Sequence, residues 1–478
     1  MRYSSDRRYT IELQSFVDIA TTASHENGTY SMKVTPIETI LKRVTTSGGF
    51  VHAVGIIVGA TAFAQLLSVI ISPLVTRLYS PEDYGVFAAY TAIVNILLAV
   101  NSLRYEFAIA LPDRDDIAFN LVILCTLLVS ITSILFAVGI WLLQDQIALW
   151  TNSTKIIPVL WVIPITLFGG GIYQALSFWA IRKKAFTTLA RTKIIQSIGS
   201  STLQITLGAL QLGPLGLILS QLFAQAGGIF SLLQTILHRQ LIPVRQIHWA
   251  SLWDAAVIYR RFPFLSMWSS LLNTLGLNIP ALLMLSLFGP ATGGIFLFSQ
   301  KIVLLPIQLI GMSTAQVFLG TAAELKRHKP KDFQSLFFKT QRRLFLIGIF
   351  PAIILALWAP PLFGVLFGPE WQLAGDFARF LSPAILMQFV TSPLSQAMII
   401  LERQDIQLAW DFGRLILIVT SFLLASILHW PPEMAVISYS TAMFTSYILL
   451  LLLLNRVVKR SVISKSIATD NDNIISTG

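Results

Sequence analysis

Residues 287–306 read LFGPATGGIFLFSQKIVLLP, and residues 78–94, 209 positions earlier, read LYSPEDYGVFAAYTAIV. In register, Leu78 falls on Leu287, Pro81 on Pro290, Gly85 on Gly294, Phe87 on Phe296, and Ile93-Val94 on Ile302-Val303. Apolar helices share Leu and Val by chance. Pro, Gly and Phe held together in register point instead to a duplicated unit. In each copy the Pro-Gly start separates two apolar windows, as the turn of a helical hairpin does.

Working outward, twelve apolar windows can each reach across about 30 Å of hydrocarbon at 1.5 Å per residue. They lie near 51–76, 83–104, 117–142, 157–180, 187–211, 214–237, 262–287, 291–318, 343–366, 377–401, 411–429 and 433–455. The two matched stretches then join the first and second span of two six-span halves. Six is even, so both halves start on the same side and are parallel repeats about an axis along the membrane normal. The expected fold is an all-α polytopic membrane protein of about twelve transmembrane helices, two six-helix bundles around a central cavity. The expected divisions are a disordered arm 1–48, a first bundle 49–239, a linker 240–261, a second bundle 262–458 and a disordered tail 459–478.

Composition agrees. The chain of 478 residues is 55% hydrophobic and 12% charged, with mean hydropathy +0.71, whereas soluble domains carry about 25% charged residues. The single cysteine, Cys125, excludes an internal disulfide and a cysteine metal site, and the histidines show no H-x-x-x-H pair. The first 30 residues show no apolar run of a cleaved leader, and Met32 is a second candidate start.

The net charge of +11 would suit a nucleic-acid binder, but its distribution does not. With the N-terminus placed in the cytoplasm, 30 Lys and Arg fall inside and three outside: Arg77, Lys155 and Arg379. This is a positive-inside pattern, so topology accounts for the charge and nucleic acid is not an expected partner. Both termini are expected to be cytoplasmic.

Lys301 remains. It is the only charged residue between Phe262 and Ala323, and it sits 12 residues into span 8, roughly 18 Å deep. A lysine there costs about 2.5–3.5 kcal/mol on insertion scales. Either carbonyls or Gln300 satisfy it within its bundle, or it lines a water-filled cavity and attracts a pyrophosphate. Its counterpart in the repeat is Ala92, so the charge is an addition to a shared scaffold. Pro306 should bend span 8 nearby. Asn273 lies at a similar depth in span 7 and Asn278 further out. Both amides suit sugar hydroxyls or interhelical hydrogen bonds. Arg104 and Arg260 lie at the cytoplasmic mouth, where positive-inside topology or the gathering of an anionic headgroup would each explain them. Asp411 and Arg414, three apart, suit a structural pair. Gly169-Gly170-Gly171 suits close helix packing, since it lacks the context of a phosphate loop.

RRFPFLSMWSSLLNTLGLNIPALLM, FGPATGGIFLFSQKIVLLPIQLIGMSTAQVF and RLYSPEDYGVFAAYTAIVNILLAVNSLRYEFAIALP resemble the polysaccharide transporter family. That family belongs to the multidrug/oligosaccharidyl-lipid/polysaccharide flippase superfamily, and the similarity runs from about residue 40 to 458. The resemblance implies a bacterial inner-membrane flippase that moves undecaprenyl-pyrophosphate-linked oligosaccharide to the periplasmic leaflet for surface polysaccharide synthesis. It also implies a cationic cavity lined by spans 1, 2, 7 and 8. No cofactor, metal or catalytic residue is implied. Partners would be the lipid-linked oligosaccharide, membrane lipids, polysaccharide polymerase machinery and a coupling cation, H+ or Na+, with Glu106 and Asp411 as its candidate sites. A multidrug antiporter would favour an intramembrane carboxylate. A membrane polymerase or ligase would need a large outer loop with paired catalytic groups, and the expected outer loops are short.

Overall fold

The computed structural model describes residues 50–238, 249–328, 330–401 and 403–476. Among them every regular element is helical. In chain order the helices are α1 (Phe50–Leu78), α2 (Pro81–Leu98), α3 (Asp115–Trp150), α4 (Val162–Arg182), α5 (Phe186–Ala209), α6 (Pro214–Ala226), α7 (Ile229–His238) and α8 (Trp249–Ile258). There follow α9 (Met267–Phe288), α10 (Pro290–Val303), α11 (Met312–His328), α12 (Pro330–Phe367), α13 (Gln372–Leu394), α14 (Gln396–Ile400), α15 (Gln404–Ile427) and α16 (Pro432–Ser476). Ala53–Gly478 form one compact unit.

Nine helical segments among the described residues are long and apolar enough to cross a membrane, and α10 with the segment Ile307–Ala322 makes a tenth, bent by 42°. The protein is therefore a multi-pass helical membrane protein with nine or ten such segments rather than the expected twelve. The other two expected windows are helices, α2 and α5, that fall short in hydropathy. Glu82, Asp83 and Asn95 lower α2, and Arg191, Lys193 and a run of Ser, Thr and Gln lower α5. The 42° bend lies at Pro306, where a five-residue π-helical turn, Ile307–Gly311, follows. Proline removes a backbone donor and breaks the ladder there.

The repeat is visible as a contact. α2 starts on a capping box, with Ser80 accepting from the Asp83 amide and the Asp83 carboxylate accepting from the Ser80 amide, and with Pro81 at its first turn. α10 starts on Gly289 at φ 86° and Pro290, a backbone setting that suits glycine. The two starts press together. A Cβ on Gly85 would lie 2.0 Å from the Pro290 carbonyl oxygen, and one on Gly294 would lie 2.1 Å from that of Pro81. Gly85 and Gly294, and Pro81 and Pro290, are the pairs matched in the sequence, so the contact is reciprocal, as a two-fold arrangement requires. An aromatic cluster packs beside it: Trp371 lies 4.9 Å from Tyr84 and 4.7 Å from Phe298, and its indole N–H donates to the Thr76 carbonyl at 3.1 Å.

The connections sort into two ends. At the end where α2 and α10 begin, Lys155 pairs with Glu82, which raises the pKa of the lysine, and Asn152 donates to the Ser286 carbonyl at 2.7 Å. At the other, Arg182 reaches Asp115 at 3.0 Å, Lys183 also pairs with Asp115, Tyr105 donates to the Ala256 carbonyl at 3.0 Å, and Lys326 donates to the Ile400 carbonyl.

Three points add to the expectations. The chain after 459 was expected to be a disordered tail, whereas α16 continues to Ser476; no Pro or Gly stands in its way before Gly478. Residues 249–258 of the expected linker form a helix, α8. Lys193 and Arg414, counted among the charges on the inner side, lie within α5 and α15. The expected N-terminal arm 1–48 lies outside the described residues. The glycines of α4 do serve close packing: a Cβ on Gly169 would meet Ala226 at 2.6 Å.

Candidate functional site

A cavity of about 640 Å³ lies among α1, α2, α5, α6, α9 and α10. The helices reach it with polar stripes at helical spacing. α1 supplies Thr61, Gln65 and Ser68; α5 supplies Lys193, Gln196, Ser197, Ser200, Ser201 and Gln204. Steps of three and four residues keep such side chains on one face. This explains why α5 is less apolar than its neighbours, since one face meets a polar space rather than lipid or packed side chains.

Among the described residues two ammonium groups line the cavity, Lys193 and Lys301, and no carboxylate does so. Lys193 Nζ donates to Thr61 Oγ1 at 3.2 Å. Lys301 makes no hydrogen bond or ion pair among the described residues, and part of its surface stays open. Its neighbour Gln300 points elsewhere, to the Tyr439 hydroxyl at 3.4 Å. The bland expectation, that Gln300 satisfies the lysine, is not met. An unpaired cation at membrane depth is costly unless water or a ligand supplies the counter-charge. With a donor-rich wall and two positive charges, the cavity suits an anion that also carries hydroxyls.

Asn278 lines the same cavity. Its Oδ1 accepts from Asn95 Nδ2 at 3.0 Å, and its own Nδ2 donates to the Thr274 carbonyl at 2.8 Å. Asn95 on α2 and Asn278 on α9 thus tie the two halves of the sequence together at the cavity wall.

A second cavity, of about 870 Å³, lies among the π-helical turn Phe262–Ser266, α9, α13, α15 and α16. Its walls carry Ser269, Ser270, Ser392 and Ser395, with Asp411 and Arg414 between them. Arg414 Nη2 meets Asp411 Oδ1 at 3.1 Å and donates to Asn273 Oδ1 at 3.2 Å, and its guanidinium lies 4.6 Å from the centre of the Trp410 ring. Both side chains are buried. The pair is the structural one expected from its spacing. Its carboxylate is balanced by the arginine, which leaves no free negative charge for a cation. Arg104 also lines this cavity, with its backbone at φ 64°, and pairs with Glu106 at 3.4 Å, so Glu106 is balanced too.

The five expected site residues therefore divide. Lys301 and Asn278 share the first cavity, Asn273 and Arg104 share the second, and Arg260 is exposed in the turn after α8 and lines neither. Asn273 was grouped with Lys301 by depth. Five residues separate it from Asn278, about 140° around a helix, so the two amides face different spaces. Lys193 was missed because it was counted only among the charges on the inner side. The stripe Lys193, Gln196, Ser200 and Gln204 was the available signal. Among the described residues no group of three or more His, Cys, Asp or Glu side chains could hold a metal ion.

A family described as polysaccharide biosynthesis protein matches residues 74–375. The chain is 21% identical over 318 residues to the succinoglycan biosynthesis transport protein ExoT of Rhizobium meliloti (strain 1021), a match over 63% of this chain and 59% of that protein. The matched part thus spans under two thirds of the length of this relative. Among solved structures, an inward-facing multidrug resistance MATE family transporter of the MOP superfamily aligns with a TM-score of 0.63 at 13% identity, covering 88% of this chain and 98% of that one. The lipid II flippase MurJ, in an inward closed conformation, aligns at 0.59 and 12% identity, covering 86% and 92%. A MOP superfamily transporter from Pyrococcus furiosus, titled for the reverse polarity of its binding pocket, aligns at 0.55 and 14% identity, covering 86% and 96%. These likenesses show a fold shared with those transporters.

Proposed function

Because the chain belongs to the polysaccharide biosynthesis protein family, we propose that it is a flippase for lipid-pyrophosphate-linked oligosaccharide, working by alternating access in a bacterial inner membrane. The observation that carries this reading is the cavity with Lys193 and Lys301 and no lining carboxylate. The ammonium groups meet the pyrophosphate, and the Ser, Thr, Gln and Asn side chains of α1, α5 and α9 meet sugar hydroxyls. The relatives named as a succinoglycan transport protein and a lipid II flippase support the same substrate class.

In this reading α2, α5 and the bent α10–α11 segment cross the bilayer with the nine apolar segments. That makes twelve spans in two parallel bundles with both termini cytoplasmic. α5 tolerates its lower hydropathy because the cavity, not lipid, receives Lys193 and its Ser and Gln stripe, and α2 because its acidic residues lie in its first turn while Asn95 faces the cavity. The tight approach of Gly85 and Gly294 closes the periplasmic end, so the cavity would load from the cytoplasm. The membrane potential assists outward movement of a doubly negative headgroup by about 4–5 kcal/mol per 100 mV. A multidrug antiporter for organic cations fits less well, since the carboxylates Asp411 and Glu106 are each held by an arginine.

The test is a deletion strain. It should accumulate lipid-linked oligosaccharide in the cytoplasmic leaflet and lose surface polysaccharide, and the wild-type gene should restore both. Normal leaflet distribution in the deletion strain would reject the reading.

A further inference from the structure

A third, separate pocket of about 470 Å³ lies where the ends of α11, α14, α15 and α16 meet. Four cations border it, Lys326, Arg403, Arg456 and Arg460, over an apolar floor that includes Leu401, Leu453 and Val457. Lys326 is anchored on the Ile400 carbonyl. Arg403 is held by Asp405 through two bonds of 3.1 Å. Arg456 and Arg460 are four apart on α16, so they share a face. Both are exposed, and neither has a hydrogen bond or ion pair among the described residues.

The pocket lies at a boundary. The apolar segment Pro369–Ile400 ends beside it, Asp405–Ile427 begins there, and Pro432–Arg460 ends on one of its arginines. Its apolar floor continues into the membrane-crossing parts of α15 and α16, while its cations stand where those segments stop. A free anion would use the cations and leave the floor unfilled. An amphiphile with a phosphate head uses both.

We propose that this pocket binds an anionic phospholipid of the phosphatidylglycerol or cardiolipin class. Its phosphate is held by Lys326, Arg456 and Arg460, and its first acyl carbons lie on Leu453 and Val457. Arg403, already engaged by Asp405, borders the site. Basic clusters at helix ends attract anionic headgroups, and the attraction weakens with salt. The proposal rests on the membrane character of the fold and not on the transported substrate, so either can fail without the other.

The experiment is native mass spectrometry of the full-length protein in detergent with added phosphatidylglycerol, cardiolipin or phosphatidylcholine. Wild type should retain the two anionic lipids well above phosphatidylcholine. Arg456→Gln with Arg460→Gln should weaken that retention about 30-fold, and Arg456→Lys with Arg460→Lys should keep most of it. Equal retention of phosphatidylglycerol and phosphatidylcholine by wild type would overturn the proposal without any variant. So would full anionic preference in the glutamine variant, or ready displacement of phosphatidylglycerol by inorganic phosphate, which would assign the pocket to a free anion.

Discussion

Gly85 lies against the backbone of Pro290 so closely that a Cβ there would stand 2.0 Å from the carbonyl oxygen. Gly294 meets Pro81 in the same way at 2.1 Å. A side chain at either glycine must part α2 from α10, because the obstacle is main chain and cannot rotate aside. Gly85→Leu or Gly294→Leu should cost about 1–3 kcal/mol or more through overpacking. It should lower the detergent melting temperature or hold this end open. Accessibility of a cysteine placed at Thr292, in the first turn of α10, compared with and without the leucine, separates the two effects. A leucine variant with unchanged melting temperature and unchanged accessibility would refute the contact.

Among the described residues Lys301 has no hydrogen-bond or ion-pair partner to leave behind. Lys301→Ala should therefore fold with an unchanged or higher melting temperature, since it removes a charge costing about 2.5–3.5 kcal/mol to insert. Transport should fall about tenfold or more, the loss expected for a hydrogen bond to a charged group. Lys301→Arg keeps the charge with a different donor geometry and should retain part of the activity. Surface-polysaccharide complementation measured beside melting temperature checks this. Full complementation by Lys301→Ala would end the assignment of the lysine to substrate.

Lys193 should behave as the second cation of the same site. Lys193→Gln should lower transport with little loss of stability, because its one described partner, Thr61, is a hydroxyl that the amide can still reach. The double variant with Lys301→Gln should lose no more than the product of the two single losses. A strongly synergistic collapse of stability would show instead that the lysines hold the fold.

Asp411 and Arg414 should show the opposite pattern. They are buried against each other, so Asp411→Ala leaves an uncompensated guanidinium and should cost about 3–5 kcal/mol. Asp411→Asn combined with Arg414→Gln should recover part of that loss. A melting temperature for Asp411→Ala equal to wild type would show that the pair contributes nothing.

The sidedness predicts labelling. Gln334 lies in α12 near the end that carries Lys326. Gln334→Cys should resist membrane-impermeant maleimide in intact cells and react after permeabilisation. Reaction in intact cells would overturn the orientation with both termini inside.

Much of this is decided along the chain. Hydropathy is a local sum, so the membrane class follows from the apolar windows, and the bend of 42° follows from Pro306 lacking an amide hydrogen. The duplicated Pro and Gly mark the backbones that touch, because a two-fold relation makes the contact of Gly85 with Pro290 the image of that of Gly294 with Pro81.

Direction around each helix is not decided along the chain. Asn273 and Asn278 lie on one helix but face different cavities, and only the packing of α9 against α2 on one side and α15 on the other decides which amide meets Asn95 and which meets Arg414. Lys193 reaches the first cavity beside Thr61, 132 residues away in the chain, and the basic pocket gathers four cations from three separate stretches. The class of the protein, its repeat and its bend could be read from one dimension, because they depend on neighbours along the chain. The membership of each cavity could not, because burial and charge pairing depend on neighbours in space.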